Sequence, residues 1–343
     1  MDSIDAIDVR SARSFWLEAP GCGRIRHHTI PEPGPDQVRV RTLYSGVSRG
    51  TEALIFQGRV PDDQFHRMRA PHQEGEFPAP VKYGYINVGE VEQGPAALLG
   101  QHVFCLYPHQ DRYVVDASDV VPLPDAVPAA RAVLAAYMET AITGNWDASP
   151  QTGERIAVVG AGVLGCLSAW LAGQTAGTDV TLIDINPSRA TLAEALGLQF
   201  ATPDRAPLDC DLIIHASGSA DGLQQALTLA GDEARIVELS WFGDTAVSLS
   251  LGRNFHSRRL TLRSSQVGRI PPVMTPRWTH RRRLSLALSL LGDQRLDVLI
   301  DGDSRFEDLP ATLQRLSTEP GAALCHRVCY AAAPRRSSLN SMS

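Results

Sequence analysis

A glycine-rich turn is the first candidate for chemistry in this chain. It follows the apolar run RIAVV and consists of Gly160, Ala161, Gly162, Val163, Leu164 and Gly165. This spacing predicts a strand, a tight turn and a helix. The first glycine permits the turn, the second admits a pyrophosphate close to the backbone, and the third lets helix and strand pack closely. Because the free N–H groups of a helix start favour negative charge, the turn predicts a dinucleotide site.

An acidic residue follows at a suitable distance. The next predicted strand, VTLID, ends at Asp184, and 184 − 160 = 24 residues, close to the roughly 20 residues expected for an acid that binds the adenosine ribose. A carboxylate accepts bonds from the ribose hydroxyls and repels a 2′-phosphate, so we expect NAD(H) rather than NADP(H). Arg189 either reaches the adenosine ribose or is a surface charge. The alternative to a cofactor site is a similar turn that binds nothing or another nucleotide.

A further cofactor contact is predicted after the strand DLIIHA. Ser217 and Gly218 follow this strand, and open α/β sheets bind ligands at the carboxyl ends of their strands. His215 alternates along the same strand and is predicted to be a packed core residue. The sequence contains no apparent Ser–His–Asp or paired-cysteine constellation that would indicate a hydrolase or a thiol redox enzyme.

The elements that position these residues change in character along the chain. Residues 1–127 contain short strand-like runs separated by proline and glycine, which predicts a β-rich domain. In residues 128–279, alanine- and leucine-rich helical stretches alternate with strands, which predicts an α/β domain with a doubly wound parallel sheet of the Rossmann type. Residues 280–330 predict two helices and a final strand, and residues 331–343 predict a disordered tail.

Composition limits the classes of function. With 343 residues, 43% hydrophobic and 20% charged, the chain is long enough for two globular domains. Its net charge of -6 argues against a general nucleic-acid binder. No apolar run reaches the roughly 20 residues that a bilayer requires. Since the N-terminus lacks a basic stretch followed by an apolar core, we expect a cytoplasmic protein without a membrane partner.

The order of these features resembles the medium-chain dehydrogenase/reductase superfamily over residues 24–330. The matching segments are TLYSGVSRGTEALIFQG, PVKYGYINVGEV, GERIAVVGAGVLG, VTLIDINPSR, LIIHASGS and LRSSQVG. The resemblance implies a GroES-like catalytic domain of residues 1–127 completed by residues 280–330, a Rossmann domain, and a homodimer. SGVSRGTE, followed later by a Gly-Tyr dipeptide, is similar to the bacteriochlorophyllide dehydrogenase branch, which oxidises a hydroxyethyl side chain of a large planar ring.

The zinc ligands of that superfamily have no counterpart here. Ser48 stands at the position of a ligating cysteine, Tyr85 at that of a ligating histidine, and the third ligand position falls at Ala135 or Ala136. The four-cysteine structural zinc lobe is also absent from the sequence. Tetrahedral zinc takes cysteine, histidine or carboxylate donors, so we expect no catalytic metal.

Without zinc, a side chain must activate the substrate oxygen. Tyr85, Lys82 and Ser48 are the candidate catalytic residues, with Tyr85 as proton donor and acceptor. Lys82 is the only lysine of the chain and lies three residues before Tyr85. On a helical turn the two side chains would share a face, and the ammonium would lower the pKa of the phenol. The alternative is that Tyr85 fills the volume left by zinc and Lys82 is a surface residue.

The resemblance assigns further roles. Arg49 is expected near the cofactor pyrophosphate, and Thr51 and Glu52 are expected to hold their loop. Glu139 is a second candidate for proton relay, with a solvated helix surface as the alternative. Residues 59–81 form a long segment that is either a lid favouring an anionic substrate or a solvated loop. The basic residues that suggest a lid are His66, Arg67, Arg69 and His72.

Two classes of function remain open. The first is a zinc-free alcohol dehydrogenase or carbonyl reductase that uses NAD(H) and a small-molecule substrate, anionic or planar, with an enoyl or quinone reductase as a variant. The second is an NAD(H)-binding protein without catalysis. The intact glycine turn and Asp184 favour the first class.

Overall fold

The structure is a computed structural model that describes residues 10–318 and 323–330. The tail predicted at residues 331–343 lies outside the described residues. Among the described residues, the strands form a small antiparallel sheet, a larger mixed sheet and a parallel sheet. None of the helices in this part of the chain is long and apolar enough to cross a membrane.

The first part of the chain is rich in strands. Its elements are β1 (Ser11–Ala19), β2 (Cys22–Thr29), β3 (Gln37–Val47), α1 (Arg49–Phe56), β4 (Glu74–Gly75), β5 (Val81–Lys82), β6 (Asn87–Gln93), β7 (His102–Cys105), β8 (Arg112–Asp116) and β9 (Val121–Pro122). The small sheet has the order β2-β1-β5-β4. In the larger sheet, β3 is central because it pairs with both β6 and β8. The strand β3 contains no exposed residue, since neighbouring strands and side chains cover it on both faces.

The middle of the chain alternates helices and strands. Its elements are α2 (Ala135–Ala148), β10 (Arg155–Val159), α3 (Val163–Ala172), β11 (Asp179–Ile183), α4 (Arg189–Ala195), β12 (Gln199–Ala201), β13 (Cys210–His215), α5 (Ala220–Leu229), β14 (Ala230–Glu238), α6 (Asn254–Ser257) and β15 (Thr261–Ser264). The parallel sheet has the order β12-β11-β10-β13-β14-β15. The order reverses direction between β10 and β13, where open α/β sheets bind their ligands.

The last part of the chain contacts both earlier parts. Its elements are α7 (His280–Leu290), β16 (Ile300–Arg305), α8 (Leu309–Thr318) and β17 (Cys325–Cys329). The strand β17 pairs antiparallel with β3, and β16 extends the same sheet. The helix α8 packs on α1, whereas α7 packs on α2. Most of residues 280–330 therefore join the β-rich part, while α7 lies against the helix that precedes the parallel sheet.

Candidate active site

The glycine turn joins β10 to α3 and leaves an open helix start. Gly160 has a φ of +106°, and a Cβ there would lie 2.7 Å from the backbone of Ser217. A Cβ on Gly165 would lie 1.8 Å from the carbonyl oxygen of Gly160. Gly162 differs, because it is exposed and nothing lies within 4 Å of the position its Cβ would take. The start of α3, at Val163 and Leu164, is therefore open to an anion.

Asp184 lies beside this turn. Its Oδ2 accepts a hydrogen bond from the backbone N–H of Ala161 at 2.7 Å, and its Oδ1 accepts one from Asn186 at 2.8 Å. The neighbouring Ile185 is 85% exposed, which leaves an apolar surface next to the carboxylate. Arg189 begins α4, and its charge favours the ionised form of the Cys166 thiol in α3, although burial still raises the pKa of that thiol to about 12.

Ser217 belongs to a hydrogen-bonded array that sequence reasoning missed. Its Oγ lies 2.6 Å from Nε2 of His215, and Nδ1 of that ring lies 2.6 Å from Oε2 of Glu238. His215 is fully buried, as expected of a core histidine, but both ring nitrogens are engaged. The sequence showed no Ser–His–Asp constellation, and the array in the structure has a glutamate, Glu238, in place of the aspartate. Glu238 ends a different strand, 23 residues from His215, so no local pattern announces the array.

A second cluster surrounds Tyr85, in the loop between β5 and β6. The side chains of Ser48 and Thr51, at the start of α1, lie close enough to Tyr85 to favour its ionised form. The hydroxyl of Tyr137 donates to the carbonyl of Val47, next to Ser48, at 2.8 Å. Several hydroxyl groups therefore meet at the positions where the resemblance places the lost zinc ligands.

The Tyr85 phenol is held in its protonated form. Burial, and next the carboxylate of Glu52, raise the pKa of Tyr85 to about 12, against the opposing effect of the Ser48 and Thr51 side chains. The sequence predicted the opposite direction of this pKa shift, on the premise of a nearby ammonium. That premise was wrong.

Lys82 lies in β5, on extended chain and not on a helical turn with Tyr85. It is 1% exposed, and its Nζ donates to Glu74 of β4 and, at 2.9 Å, to Gln110. The same ammonium lies 5.3 Å from the ring centroid of Tyr107. Burial lowers the pKa of Lys82, whereas Glu74 opposes this fall. Lys82 is neither a surface residue nor among the groups that shift the pKa of Tyr85.

A buried polar chain supports the Tyr85 cluster from behind. Glu52 accepts a bond from the backbone N–H of Ser48 at 2.7 Å and contacts Nε2 of His109 at 2.8 Å. Nδ1 of His109 lies 2.7 Å from Oγ of Ser45, which lies 3.0 Å from the hydroxyl of Tyr330. Glu52 thus holds its loop, as expected from the sequence. His109 was missed because it lies 57 residues away from Glu52 in sequence.

Glu139 is placed elsewhere. Its carboxylate forms an ion pair with Arg283 of α7 at 3.0 Å, and Arg283 also donates to Thr143 at 2.9 Å. Both charged residues are 3% exposed, so Glu139 is not on a solvated helix surface. Its carboxylate is engaged between α2 and α7, which also removes the basis for a proton relay.

The segment of residues 59–81 folds on itself and on the rest of the chain. Arg69 donates to the carbonyl groups of Gln73 and Gly75, both at 3.0 Å. Arg59 contacts Asp244, beyond the parallel strand β14, at 3.0 Å. Phe65 and Met68 of this segment pack against the same cluster of buried apolar side chains as Tyr85. Of the other basic residues proposed for a lid, His72 contacts Asp119 at 3.4 Å, while His66 and Arg67 are exposed.

Comparisons with known proteins agree with this architecture. The chain is 24% identical to D-guloside 3-dehydrogenase of Escherichia coli over 80% of its own length and 87% of the relative's. It is 29% identical to 2-desacetyl-2-hydroxyethyl bacteriochlorophyllide A dehydrogenase of Rhodobacter capsulatus over 61% of its length and 67% of the relative's. These relatives are alcohol dehydrogenase-like proteins of the medium-chain dehydrogenase/reductase superfamily, which this chain resembles. No family model matches it.

Solved structures of medium-chain dehydrogenases share the fold. L-idonate 5-dehydrogenase of Escherichia coli superposes with a TM-score of 0.77 at 16% identity, over 93% of this chain and 98% of that one. An alcohol dehydrogenase of Escherichia coli in complex with NADH superposes with a TM-score of 0.74 at 17% identity, over 93% and 99%. These likenesses show the GroES-like and Rossmann domains of the fold.

The side chains at the zinc-ligand positions of that superfamily do not fit a zinc ion in this chain. The ligand positions hold Ser48, Tyr85 and the apolar pair Ala135 and Ala136, both buried. Within residues 10–318 and 323–330, no group of three or more histidine, cysteine or acidic side chains could hold a metal ion. Hydroxyl groups of serine and tyrosine are poor substitutes for the thiolate, imidazole and carboxylate that zinc takes. Arg49, the first residue of α1, is half-buried beside this cluster.

Proposed function

We propose that the protein is a zinc-independent, NAD(H)-dependent oxidoreductase that interconverts a carbonyl compound and an alcohol. The observation that carries the proposal is the phenol of Tyr85, which lies beside Ser48 and Thr51 where superfamily members place zinc. The comparisons support the oxidoreductase class through relatives that are dehydrogenases. The choice of NAD(H), the absence of zinc and the roles of individual residues are our inferences.

The residues of the glycine turn fit a dinucleotide. The cradle at Gly162, where nothing lies within 4 Å of the position a Cβ would take, suits the pyrophosphate at the start of α3. Asp184 is fixed by two backbone N–H groups and retains acceptor capacity for ribose hydroxyls. A 2′-phosphate would meet this carboxylate at close range, which favours NAD(H). We assign Arg49, Arg189 and Ser217 to the same site as further contacts.

When bound, the nicotinamide supplies or accepts the hydride. We infer that Tyr85 donates a proton to the carbonyl oxygen of the substrate as hydride arrives. Burial, and next the carboxylate of Glu52, keep the phenol protonated, and the side chains of Ser48 and Thr51 lie beside it. A protonated donor favours the reduction of a carbonyl over the oxidation of an alcohol near neutral pH. Phe65 and Met68 pack against the same buried apolar cluster as Tyr85, which favours an apolar or planar substrate over an anionic one.

The experiment replaces Tyr85 with phenylalanine. Carbonyl compounds are screened by NADH oxidation at 340 nm, and NADH affinity is measured by fluorescence. We expect Tyr85→Phe to lower kcat/KM by about 10² to 10⁴ while NADH affinity stays unchanged. Tyr44→Phe is the matched control, because Tyr44 packs under Arg327, away from the cluster.

Two results would refute parts of the proposal. Unchanged turnover in Tyr85→Phe removes the phenol from the reaction. Stoichiometric zinc in the purified protein, with activity lost on chelation, refutes zinc independence. NADH binding without turnover of any carbonyl, alcohol or activated double bond favours the non-catalytic alternative.

A further inference from the structure

The array of Ser217, His215 and Glu238 has the geometry of an activated nucleophile. The Ser217 Oγ to His215 Nε2 distance and the His215 Nδ1 to Glu238 Oε2 distance are both 2.6 Å. A carboxylate only accepts hydrogen bonds, so Nδ1 carries a proton that it donates to Glu238. In the neutral ring, Nε2 is then the acceptor for the Ser217 hydroxyl. These are the roles of nucleophile, base and orienting acid.

The orienting partners of the array are buried and fixed. His215 is fully buried, and its ring stacks against Phe242 with an interplanar angle of 11°. Glu238 uses its second oxygen, Oε1, to accept the backbone N–H of Ser240 at 2.6 Å. Because both oxygens of the carboxylate are engaged, the imidazole has a single preferred orientation toward the serine.

Ser217, by contrast, is exposed, on the turn between β13 and α5. A Cβ on Gly222 would lie 2.3 Å from its Oγ, so glycine at that position leaves the hydroxyl uncovered. The backbone N–H of Ser219 donates to Oγ at 3.2 Å, which leaves a lone pair free after the bond to His215. The strand-turn-helix setting of the serine resembles that of hydrolytic nucleophiles.

We propose that Ser217 is a nucleophilic serine and that the protein without bound cofactor hydrolyses activated carboxylic esters there. This activity goes beyond the proposed redox reaction and needs no cofactor. Since the backbone of Ser217 lies directly against Gly160 of the cofactor turn, the ester and NAD(H) compete for the same cleft.

The chemical step is balanced with the groups present. Ser217 Oγ forms a bond to the acyl carbon, and its proton passes to Nε2 of His215. The bond between the acyl carbon and the alcohol oxygen breaks, and the alcohol leaves with that proton. Water then gives a proton to Nε2 and attacks the acyl carbon, the acyl–Oγ bond breaks as Oγ takes the proton back, and the carboxylic acid leaves. The N–H of Gly218, now bound by the Ser240 hydroxyl at 3.0 Å, can turn to the developing oxyanion once that acceptor is displaced.

The test uses the full chain without cofactor and 4-nitrophenyl acetate as the ester, with release of nitrophenolate followed at 400 nm. We expect saturable hydrolysis that Ser217→Ala lowers by about 10²-fold or more, toward the uncatalysed rate. Glu238→Gln is expected to lower it as well, because the imidazole loses its ionised partner. Ser219→Ala is the matched control on the same turn, since it removes only the hydroxyl that caps α5.

A second measurement needs no variant. Treatment with a fluorophosphonate, followed by peptide mapping, is expected to place one adduct on Ser217 and to show protection by NADH. An adduct on another residue, no adduct, or hydrolysis that persists in Ser217→Ala would each overturn the proposal. An unchanged rate of hydrolysis at saturating NADH would refute the claim that the ester and NAD(H) compete for one cleft. Dehydrogenase turnover is measured in a separate assay, so a failure of the proposed redox function can be distinguished from a failure of the proposed ester hydrolysis.

Discussion

The pKa of Tyr85 predicts how the two reaction directions respond to pH. Oxidation of an alcohol releases a proton, so the ratio of oxidative to reductive kcat/KM rises tenfold per pH unit. Whether the oxidative or the reductive kcat/KM changes with pH depends on the pKa of the group that transfers the proton. With the pKa of Tyr85 raised to about 12, the phenol is protonated at every pH from 7 to 10. Reduction is therefore expected to be independent of pH in this range.

The magnitude for oxidation follows from the same value. At pH 7 the phenolate that oxidation requires is roughly 10⁻⁵ of the total, which costs about 7 kcal/mol. Each further pH unit raises that fraction tenfold, so oxidative kcat/KM is expected to rise about 10³-fold between pH 7 and pH 10. Burial and the Glu52 carboxylate are the physical causes, since both oppose the charged phenolate.

The assay measures initial rates in both directions at 340 nm, in buffers of constant ionic strength. Tyr85→Phe is expected to retain only a low residual rate in each direction, whereas Tyr44→Phe keeps the wild-type profiles. A flat oxidation profile, with reduction falling tenfold per unit from pH 7 to 10, would refute the reasoning. It would assign proton transfer to a group with a pKa below 7.

Four further predictions concern the cofactor turn and the buried ion pair. Asp184→Asn is expected to narrow the preference for NADH over NADPH by about tenfold, because a neutral amide neither repels a 2′-phosphate nor binds ribose as strongly; fluorescence titration measures both affinities. Gly160→Ala is expected to unfold the turn and lower Tm, since φ is +106° and a Cβ meets backbone at 2.7 Å. Gly162→Ala is expected to keep Tm within a few degrees but weaken NADH binding, because its Cβ enters only the open cradle. Arg283→Met is expected to lower the free energy of unfolding by about 3–5 kcal/mol in urea denaturation, because it leaves the Glu139 carboxylate buried and unpaired.

The effect of Arg283→Met has a definite pH dependence. Burial raises the pKa of Glu139 in the folded protein, and Arg283 opposes that rise. Without the arginine the folded pKa rises further above the unfolded value, so stability is retained at low pH and lost as the pH increases. The free energy of unfolding that Arg283→Met removes is expected to be larger at pH 8 than at pH 5, and an equal loss at both pH values would contradict this account. Arg259→Met, in an exposed pair with Glu233, is the control and should change stability little.

For the cofactor turn, Asp204→Asn is the exposed control for Asp184→Asn.

The sequence alone was sufficient for features whose physical cause is local. A glycine turn between a strand and a helix, and an acid at the end of the next strand, are short-range patterns, because backbone sterics and a helix start decide them. The apolar character of β10 and β11 likewise predicted a parallel sheet covered on both faces. The placement of Tyr85 came from matching one motif, and the structure places Ser48 beside that tyrosine.

Only the tertiary structure decided the partners of the buried polar groups. Lys82 lies with Glu74 because two short strands pair, and Glu139 lies with Arg283 across 144 residues of sequence. A buried charge must find a counter-charge or a hydrogen bond, yet nothing in its own sequence neighbourhood specifies which one. Burial sets the direction of the Tyr85 pKa shift, and partners that are distant in sequence form the Ser217 array. In both cases the surroundings in the fold, and not the spacing of residues in the sequence, set the chemistry of the side chain.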